Sequence, residues 1–190
     1  MNKTRLEAFS DGVLAIIITI MILEIKVPQE PTFEALKPLI PVFLSYVLSF
    51  AFIGIYWNNH HHMFQVSKTI SGKVMWANMH LLFWLSLIPF GTSWIGAEHF
   101  AAIPMSVYGF ILLMSGVSYL ILQQRLIHLH GKESLLNQAI KGDKKGKITF
   151  FINLTAIPLA FISPWISGIM YIVIALIWIV PDKRIESLIK

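Results

Sequence analysis

The side chains able to do chemistry lie in one short motif near the start of the chain and in two later polar segments. Arg5, Phe9, Ser10 and Asp11 form the motif Arg-x-x-x-Phe-Ser-Asp, directly before an apolar run over residues 12–23. A carboxylate at the edge of an apolar helix is costly without partners, so the motif predicts polar contacts with other segments. The candidate partners are His60, His61, Trp76, Asn78 and His80.

These residue types leave three roles open. The first is hydrogen bonding between helices, in which Ser10 and Asp11 accept while indole, amide and imidazole groups donate. The second is an influence on gating through helix packing. The third is a proton relay between Asp11 and His80, of the kind that transporters use.

A metal site is not expected. Residues 60–62 are three consecutive histidines, which spread over about 200° of a helix and cannot bind one ion together. The pair His128-x-His130 has no nearby cysteine or paired carboxylates. The chain has no cysteine at all, which excludes disulfides, thiolate ligands and cysteine nucleophiles. No nucleophile–base spacing supports an enzyme, and no cofactor is expected.

The elements that position these residues are predicted to be membrane-spanning helices. The chain is 56% hydrophobic and only 13% charged, with a mean hydropathy of +0.68, whereas soluble domains carry about 25% charged residues. Several uncharged stretches exceed the roughly 20 residues that cross a bilayer. The composition therefore predicts an all-α integral membrane protein. The uncharged stretches are 12–23, 38–67, 74–97, 99–124 and 148–181.

Six spans are predicted in a single domain over residues 1–190: about 4–26, 38–61, 73–96, 101–124, 148–162 and 164–180. We expect the first to begin with a capping box, Thr4-x-x-Glu7, and not to be a signal peptide, because it lacks a small-residue cleavage site. Pro89 is expected to kink the third span. Ser163-Pro164 divides the last uncharged stretch into two short spans. The polar segment before it is expected to be a linker or a short surface helix.

The distribution of charge predicts the orientation. Six spans place thirteen of the fifteen Lys and Arg residues on one side and leave only Lys26 and Lys37 on the other. The positive-inside rule then puts both termini in the cytoplasm, with the chain in the cell (inner) membrane. The net charge of +5 thus indicates orientation, not nucleic-acid binding. In this topology the polar groups of spans one, two and three lie within roughly 10 Å of one interface.

Helix one has two candidate faces. The first stripe, spaced i, i+3, i+4, i+7, could line a pore or make ordinary contact with lipid or another helix, since the span is apolar all round. The neighbouring stripe is expected to meet other helices. The first stripe is Ile16, Thr19, Ile20 and Leu23, and the second is Asp11, Ala15, Ile18 and Ile22.

The Arg-x-x-x-Phe-Ser-Asp motif at the start of the first of six spans resembles the prokaryotic branch of the transmembrane protein 175 family, whose animal members are endolysosomal potassium channels. The likeness covers the whole chain, including "LEIKVP", "GIYWNNHHHMF" and "LIPFGT". It implies a potassium-permeable channel, a homotetramer of six-helix chains in membrane lipid with helix one lining the pore. The "TVGYG" potassium filter is absent from the family and from this chain.

The resemblance also implies residue roles. Ile16, five positions beyond the motif aspartate, would be the apolar constriction, with Ile20 and Leu23 as further apolar rings. Thr19 would supply hydroxyls to the permeant K+. The polar partners of the motif would be Asn78 and His80 on helix three, and His60 or His61 on helix two.

Two other functions stay open. The alternative is a proton-coupled secondary transporter that uses Asp11 and His80, and its flux would require a proton gradient. An integral-membrane enzyme has no supporting motif.

Overall fold

The chain folds into α-helices joined by short loops, in a computed structural model that describes residues 2–131, 133–140 and 144–179. This confirms the prediction of an all-α protein. A 3-10 helix, Glu34–Leu39, precedes the second α-helix. The α-helices are α1 (Lys3–Leu23), α2 (Ile40–Gln65), α3 (Gly72–Leu85), α4 (Ile88–Ala97), α5 (Ala102–His130), α6 (Leu135–Ile140), α7 (Lys144–Leu159) and α8 (Pro164–Ile179).

Four helical segments within the described ranges are long and apolar enough to cross a membrane. They are Lys3–Leu23, Glu34–Gln65, Gly72–Ala97 and Ala102–His130. Helix α8 is apolar but has 16 residues, about 24 Å at 1.5 Å per residue. The chain is an integral membrane protein, and the predicted fifth and sixth spans correspond to α7 and α8. Their crossing of the bilayer stays a prediction, and residues 180–190 lie outside the described part of the chain.

Both ends of α1 differ from the sequence-based boundaries. The Asn2 side chain accepts a hydrogen bond from the Arg5 amide at 3.4 Å and caps the helix, so the predicted Thr4–Glu7 capping box is wrong. Asparagine is among the best N-cap residues, which explains the earlier start. The helix ends at Leu23, because Glu24 is already its C-cap.

The third predicted span is divided in two. Helix α3 ends at Leu85, α4 begins at Ile88, and the intervening turn is tight, with the Leu87 amide donating to Trp84 O at 3.2 Å. Pro89 has no amide hydrogen to offer the Leu85 carbonyl, so the regular hydrogen bonding stops here. The expected kink at Pro89 is therefore a break of two residues, Ser86 and Leu87.

Two contacts tie the helix ends together where α1 begins and α2 ends. Lys3 Nζ donates to Phe64 O at 2.8 Å and to Ser67 O at 3.0 Å, which places a cation at the C-terminus of α2. At the end of α5, His130 Nδ1 lies 2.9 Å from the Leu126 carbonyl and therefore carries the proton. Its Nε2 lone pair accepts the backbone N–H groups of residues 68 and 69 at 3.1 and 3.2 Å.

Helices α2 and α4 approach each other closely at Gly96. A Cβ atom on Gly96 would lie 2.7 Å from Val42 Cα and 3.0 Å from Ser45 Oγ, so only glycine fits. By contrast, a Cβ atom on Gly54 of α2 would lie in open space, with nothing within 4 Å. Backbone contact through small residues is a common means of packing helices in membranes.

We expect Gly96→Ala to lower the stability of the bundle by about 1–3 kcal/mol, because backbone atoms must move apart to admit the methyl group. Gly54→Ala is the matched control and should leave the melting temperature unchanged or slightly raised. Thermal unfolding of both purified variants in detergent measures the difference. Equal melting temperatures would contradict the close approach.

Candidate functional site

A chain of buried hydrogen bonds joins α1, α2 and α3. His60 Nε2 lies 2.7 Å from Asn78 Oδ1 and must donate to it, because the amide oxygen is only an acceptor. Asn78 Nδ2 donates to Ser10 Oγ at 2.9 Å, and Ser10 donates to Leu6 O at 2.8 Å. Ser10 and Asn78 are fully buried, and His60 is 2% exposed. Hydrogen bonds thus run from His60 of α2 through Asn78 of α3 to Ser10 of α1.

The position of Asn78 explains why the chain runs this way. Its buried amide has one end that only accepts and one that only donates, so it needs complementary partners on both sides. His60 supplies the donor, and Ser10 supplies the acceptor. Since a buried polar group left without a partner costs about 1–3 kcal/mol, the arrangement fixes the rotation of all three helices.

The motif carboxylate takes no part in these buried hydrogen bonds. Asp11 is exposed and accepts a hydrogen bond from Trp57 Nε1 at 3.1 Å. The Trp57 ring is stacked on His61, with ring centroids 6.2 Å apart. Of the two candidate histidines of helix two, His60 therefore belongs to the buried hydrogen-bond chain. His61 is exposed and stacks on Trp57.

Two predicted partners of Asp11 are elsewhere. Trp76 is 77% exposed and makes no hydrogen bond within the described residues, so in the single chain the indole that meets Asp11 belongs to Trp57 and not to Trp76. His80 accepts a hydrogen bond from Trp84, one turn further along α3, at 3.0 Å. No contact between described residues joins Asp11 to His80.

The other two motif residues face outwards. Phe9 is 51% exposed, and Arg5 is exposed as well. The Arg5 guanidinium has no hydrogen bond or ion pair with the described residues. Of the four motif side chains, only Ser10 is buried against other helices of the same chain.

Helix α1 has one buried face and one exposed face. The buried stripe packs against α2, α3 and α4 and consists of Leu6, Ser10, Leu14, Ile17 and Met21. In the single chain Asp11, Ala15 and Ile22 are exposed and Ile18 is half-buried, so the stripe expected to meet other helices is not the tightly packed one, although Asp11 does contact Trp57 of α2. In a helix that is apolar all round, the spacing of apolar residues does not predict which face is packed. Here the hydrogen bond of Ser10 determines it.

The predicted pore stripe lies on the exposed face. Ile16 is 58% exposed, Ile20 44% and Leu23 71%, and Thr19 is also exposed. At about 100° per residue, this stripe is centred roughly 130° from the buried one. The four side chains are therefore available to a pore, to lipid or to another copy of the chain.

The Thr19 hydroxyl is oriented by its own helix. It donates to the Ile16 carbonyl at 2.9 Å. Because its only proton is engaged there, the oxygen lone pairs remain for an outside donor or a cation. No group of three or more His, Cys, Asp or Glu side chains suited to a metal ion occurs among residues 2–131, 133–140 and 144–179.

Sequence reasoning missed Trp57 and a second buried polar cluster. Ser49 Oγ lies 2.8 Å from Tyr108 Oη and 2.6 Å from Thr92 Oγ1, which links α2, α4 and α5. Thr92 also contacts Met21 Sδ of α1 at 3.8 Å. The signal for Trp57 was its place one residue before the Asn-Asn-His-His-His run, at the same end of the bundle as Asp11.

The buried chain makes a specific stability prediction. Ser10→Ala removes the acceptor of Asn78 Nδ2 and should cost about 1–3 kcal/mol. In an Asn78→Leu background the same change should cost much less, which gives a coupling energy of about 0.5–3 kcal/mol. Thermal unfolding of the single and double variants measures it.

Trp57→Phe is the control, since it removes a hydrogen bond of similar length at an exposed position and should change stability by less than about 0.5 kcal/mol. Additive effects of Ser10→Ala and Asn78→Leu on the free energy of unfolding would contradict a hydrogen bond between these two residues.

Comparison with known proteins reveals extensive similarity. Residues 5–89 match the family described as "Endosomal/lysosomal potassium channel TMEM175". A potassium channel of Chryseobacterium sp. (strain P1-3) is 51% identical over 190 residues, which cover 100% of this chain and 99% of the relative. A potassium channel of Chamaesiphon minutus is 34% identical over 185 residues, covering 88% of this chain and 89% of that one.

A solved structure is also similar over nearly the full length. The crystal structure of a lysosomal potassium-selective channel TMEM175 homolog from Chamaesiphon minutus superposes with a TM-score of 0.79 at 30% sequence identity, covering 95% of this chain and 97% of that one. The matched family region contains the motif, the buried chain and the exposed face of α1. On this evidence the chain belongs to the TMEM175 family of ion channels.

Proposed function

We propose that the protein is a potassium-permeable channel in which the exposed face of α1 lines the pore of a homotetramer. One observation carries the proposal: α1 is held on one side by a buried hydrogen-bond chain, while Ile16, Thr19 and Leu23 on another side are exposed in the single chain. Relatives named potassium channels support the choice of ion.

The proposed gate is apolar. Four copies of Ile16, followed by rings of Ile20 and Leu23, would form a constriction that closes by excluding water. A small outward movement or rotation of α1 would widen and wet it. The buried chain opposes such movement, since a rotation of α1 separates Ser10 from Asn78.

The proposed selectivity element is Thr19. Four hydroxyl oxygens, each with its proton held by the Ile16 carbonyl, would present lone pairs to a partly dehydrated cation. K+ sheds water more easily than Na+, so a modest preference for K+ follows. Glu24, which accepts a hydrogen bond from Ser93 of α4 at 3.0 Å, and Glu30 would concentrate cations at the adjacent mouth.

We propose an inner-membrane location with both termini in the cytoplasm. Lys3, Arg5, Lys68, Lys73 and Arg125 lie at the end of the bundle where α1 begins and α5 ends, as the positive-inside rule requires. The exposed Arg5 side chain is free to extend to lipid headgroups there.

The proton-coupled transporter has less support. It needs Asp11 and His80 to exchange a proton, whereas Asp11 is bonded to Trp57 and His80 to Trp84.

Purified protein in a planar bilayer, with KCl on one side and an equal concentration of NaCl on the other, tests the function. We expect current without a pH gradient and a reversal potential displaced towards the K+ equilibrium potential. Absence of conductance in repeated reconstitutions, or flux that requires a proton gradient, would contradict the channel proposal.

Thr19→Val tests the selectivity element, since valine has the same shape without the hydroxyl. We expect the potassium to sodium permeability ratio to fall roughly two- to tenfold, the equivalent of losing about 0.5–1.4 kcal/mol of discrimination. Thr155→Val is the matched control, because the exposed Thr155 hydroxyl of α7 donates to its own helix at 2.8 Å in the same way. An unchanged ratio in Thr19→Val would exclude this role.

A further inference from the structure

A cavity of about 80 Å³ lies between α2, α5, α7 and α8, and no residue of α1 lines it. Most of its wall is apolar, with Phe52, Leu112 and Ile174 among the lining residues. It is therefore separate from the proposed pore face and unexplained by conduction. A volume of this size admits roughly five to eight groups the size of a water molecule.

Two buried amide oxygens line this cavity without a partner. Gln123 Oε1 of α5 and Asn153 Oδ1 of α7 accept no hydrogen bond within the described residues, and the two side chains are only 6% and 4% exposed. Tyr56 of α2 brings a phenol group to the same cavity. An unpartnered buried amide costs about 1–3 kcal/mol, so two around one cavity indicate an absent hydrogen-bonding occupant.

The other polar groups of the wall are already engaged. Trp178 Nε1 donates to Thr149 Oγ1 at 2.8 Å, and Tyr119 donates to Asn59 O at 3.3 Å. These contacts fix α8 to α7 and α5 to α2 around the cavity. Gln123 Oε1 and Asn153 Oδ1 are the buried atoms of the described wall that these contacts leave without a partner.

The lining defines the chemistry of the occupant. Its described residues include no Asp, Glu, Lys or Arg, which favours an uncharged occupant. A hydroxyl group can donate to an amide oxygen and accept from a phenol or amide hydrogen, whereas an alkyl chain matches the apolar walls. We propose that this cavity is a binding site for a short uncharged amphiphile with a terminal hydroxyl group, of the size of a six-carbon alcohol.

A photoreactive probe tests the proposal on the purified full-length protein in detergent. The probe is a six-carbon alcohol with a diazirine on its alkyl chain, and the labelled residues are mapped by mass spectrometry. We expect saturable labelling of residues that line the cavity. 1-Hexanol should compete at roughly tenfold lower concentration than its isomer 1-methoxypentane, which cannot donate a hydrogen bond. Equal competition by the two isomers, or non-saturable labelling spread over the lipid-facing surface, would overturn the proposal.

Gly116→Leu gives an independent test. A Cβ atom on this glycine of the cavity wall would meet only Tyr56 Oη, at 3.8 Å, so a larger side chain can extend into the cavity. This variant should lose the saturable labelling, while Gly54→Leu, at a position with nothing within 4 Å, should retain it. Retained labelling in Gly116→Leu would also overturn the proposal. Because the readout is binding, its failure is distinct from any failure of ion conduction.

Discussion

The buried amide of Asn78 sets the arrangement of the first three helices. It must accept at one end and donate at the other, and His60 and Ser10 meet both needs at 2.7 and 2.9 Å. Lipid is as apolar as leucine, so an apolar helix gains little from burying one apolar face in preference to another. A polar contact therefore decides the rotation of α1. With Ser10 turned inwards, Ile16, Thr19, Ile20 and Leu23 necessarily face outwards.

This constraint divides the motif into two parts. Ser10 packs α1 against its own chain, while Asp11, Phe9 and Arg5 remain at the surface of the single chain. A second cluster, Ser49, Thr92 and Tyr108, holds α2, α4 and α5 together further along and touches Met21 on the same buried stripe. Helix α1 is thus attached at two heights by one face. The residues of the proposed pore face take no part in these contacts. They can therefore vary with the demands of ion conduction without weakening the packing of α1.

The sequence predicts how deep in the membrane these polar groups lie better than it predicts which way their side chains face around each helix. Uncharged stretches located the helices, and counting along them brought Ser10, His60 and Asn78 to one depth. The rotation of each helix could not be predicted, because an apolar span has no polar face to orient it. For that reason the sequence points to Trp76 where the structure has Trp57, and to the stripe of Ala15 and Ile22 where the structure packs the stripe of Ser10. The cavity between α2, α5, α7 and α8 was equally beyond prediction, since it depends on how four helices fit together.

In the proposed channel, α1 presents Ile16 to the ion path and Ile17 to the interior of the bundle. Because the native chain has no cysteine, Ile16→Cys and Ile17→Cys can be compared by adding a thiol reagent or cadmium during bilayer recording. Ile17 is 4% exposed, one residue away, and serves as the matched position. If α1 lines the pore as proposed, the reagent alters the current through Ile16→Cys channels and leaves the current through Ile17→Cys channels unchanged. Block of Ile17→Cys with no effect on Ile16→Cys would contradict it.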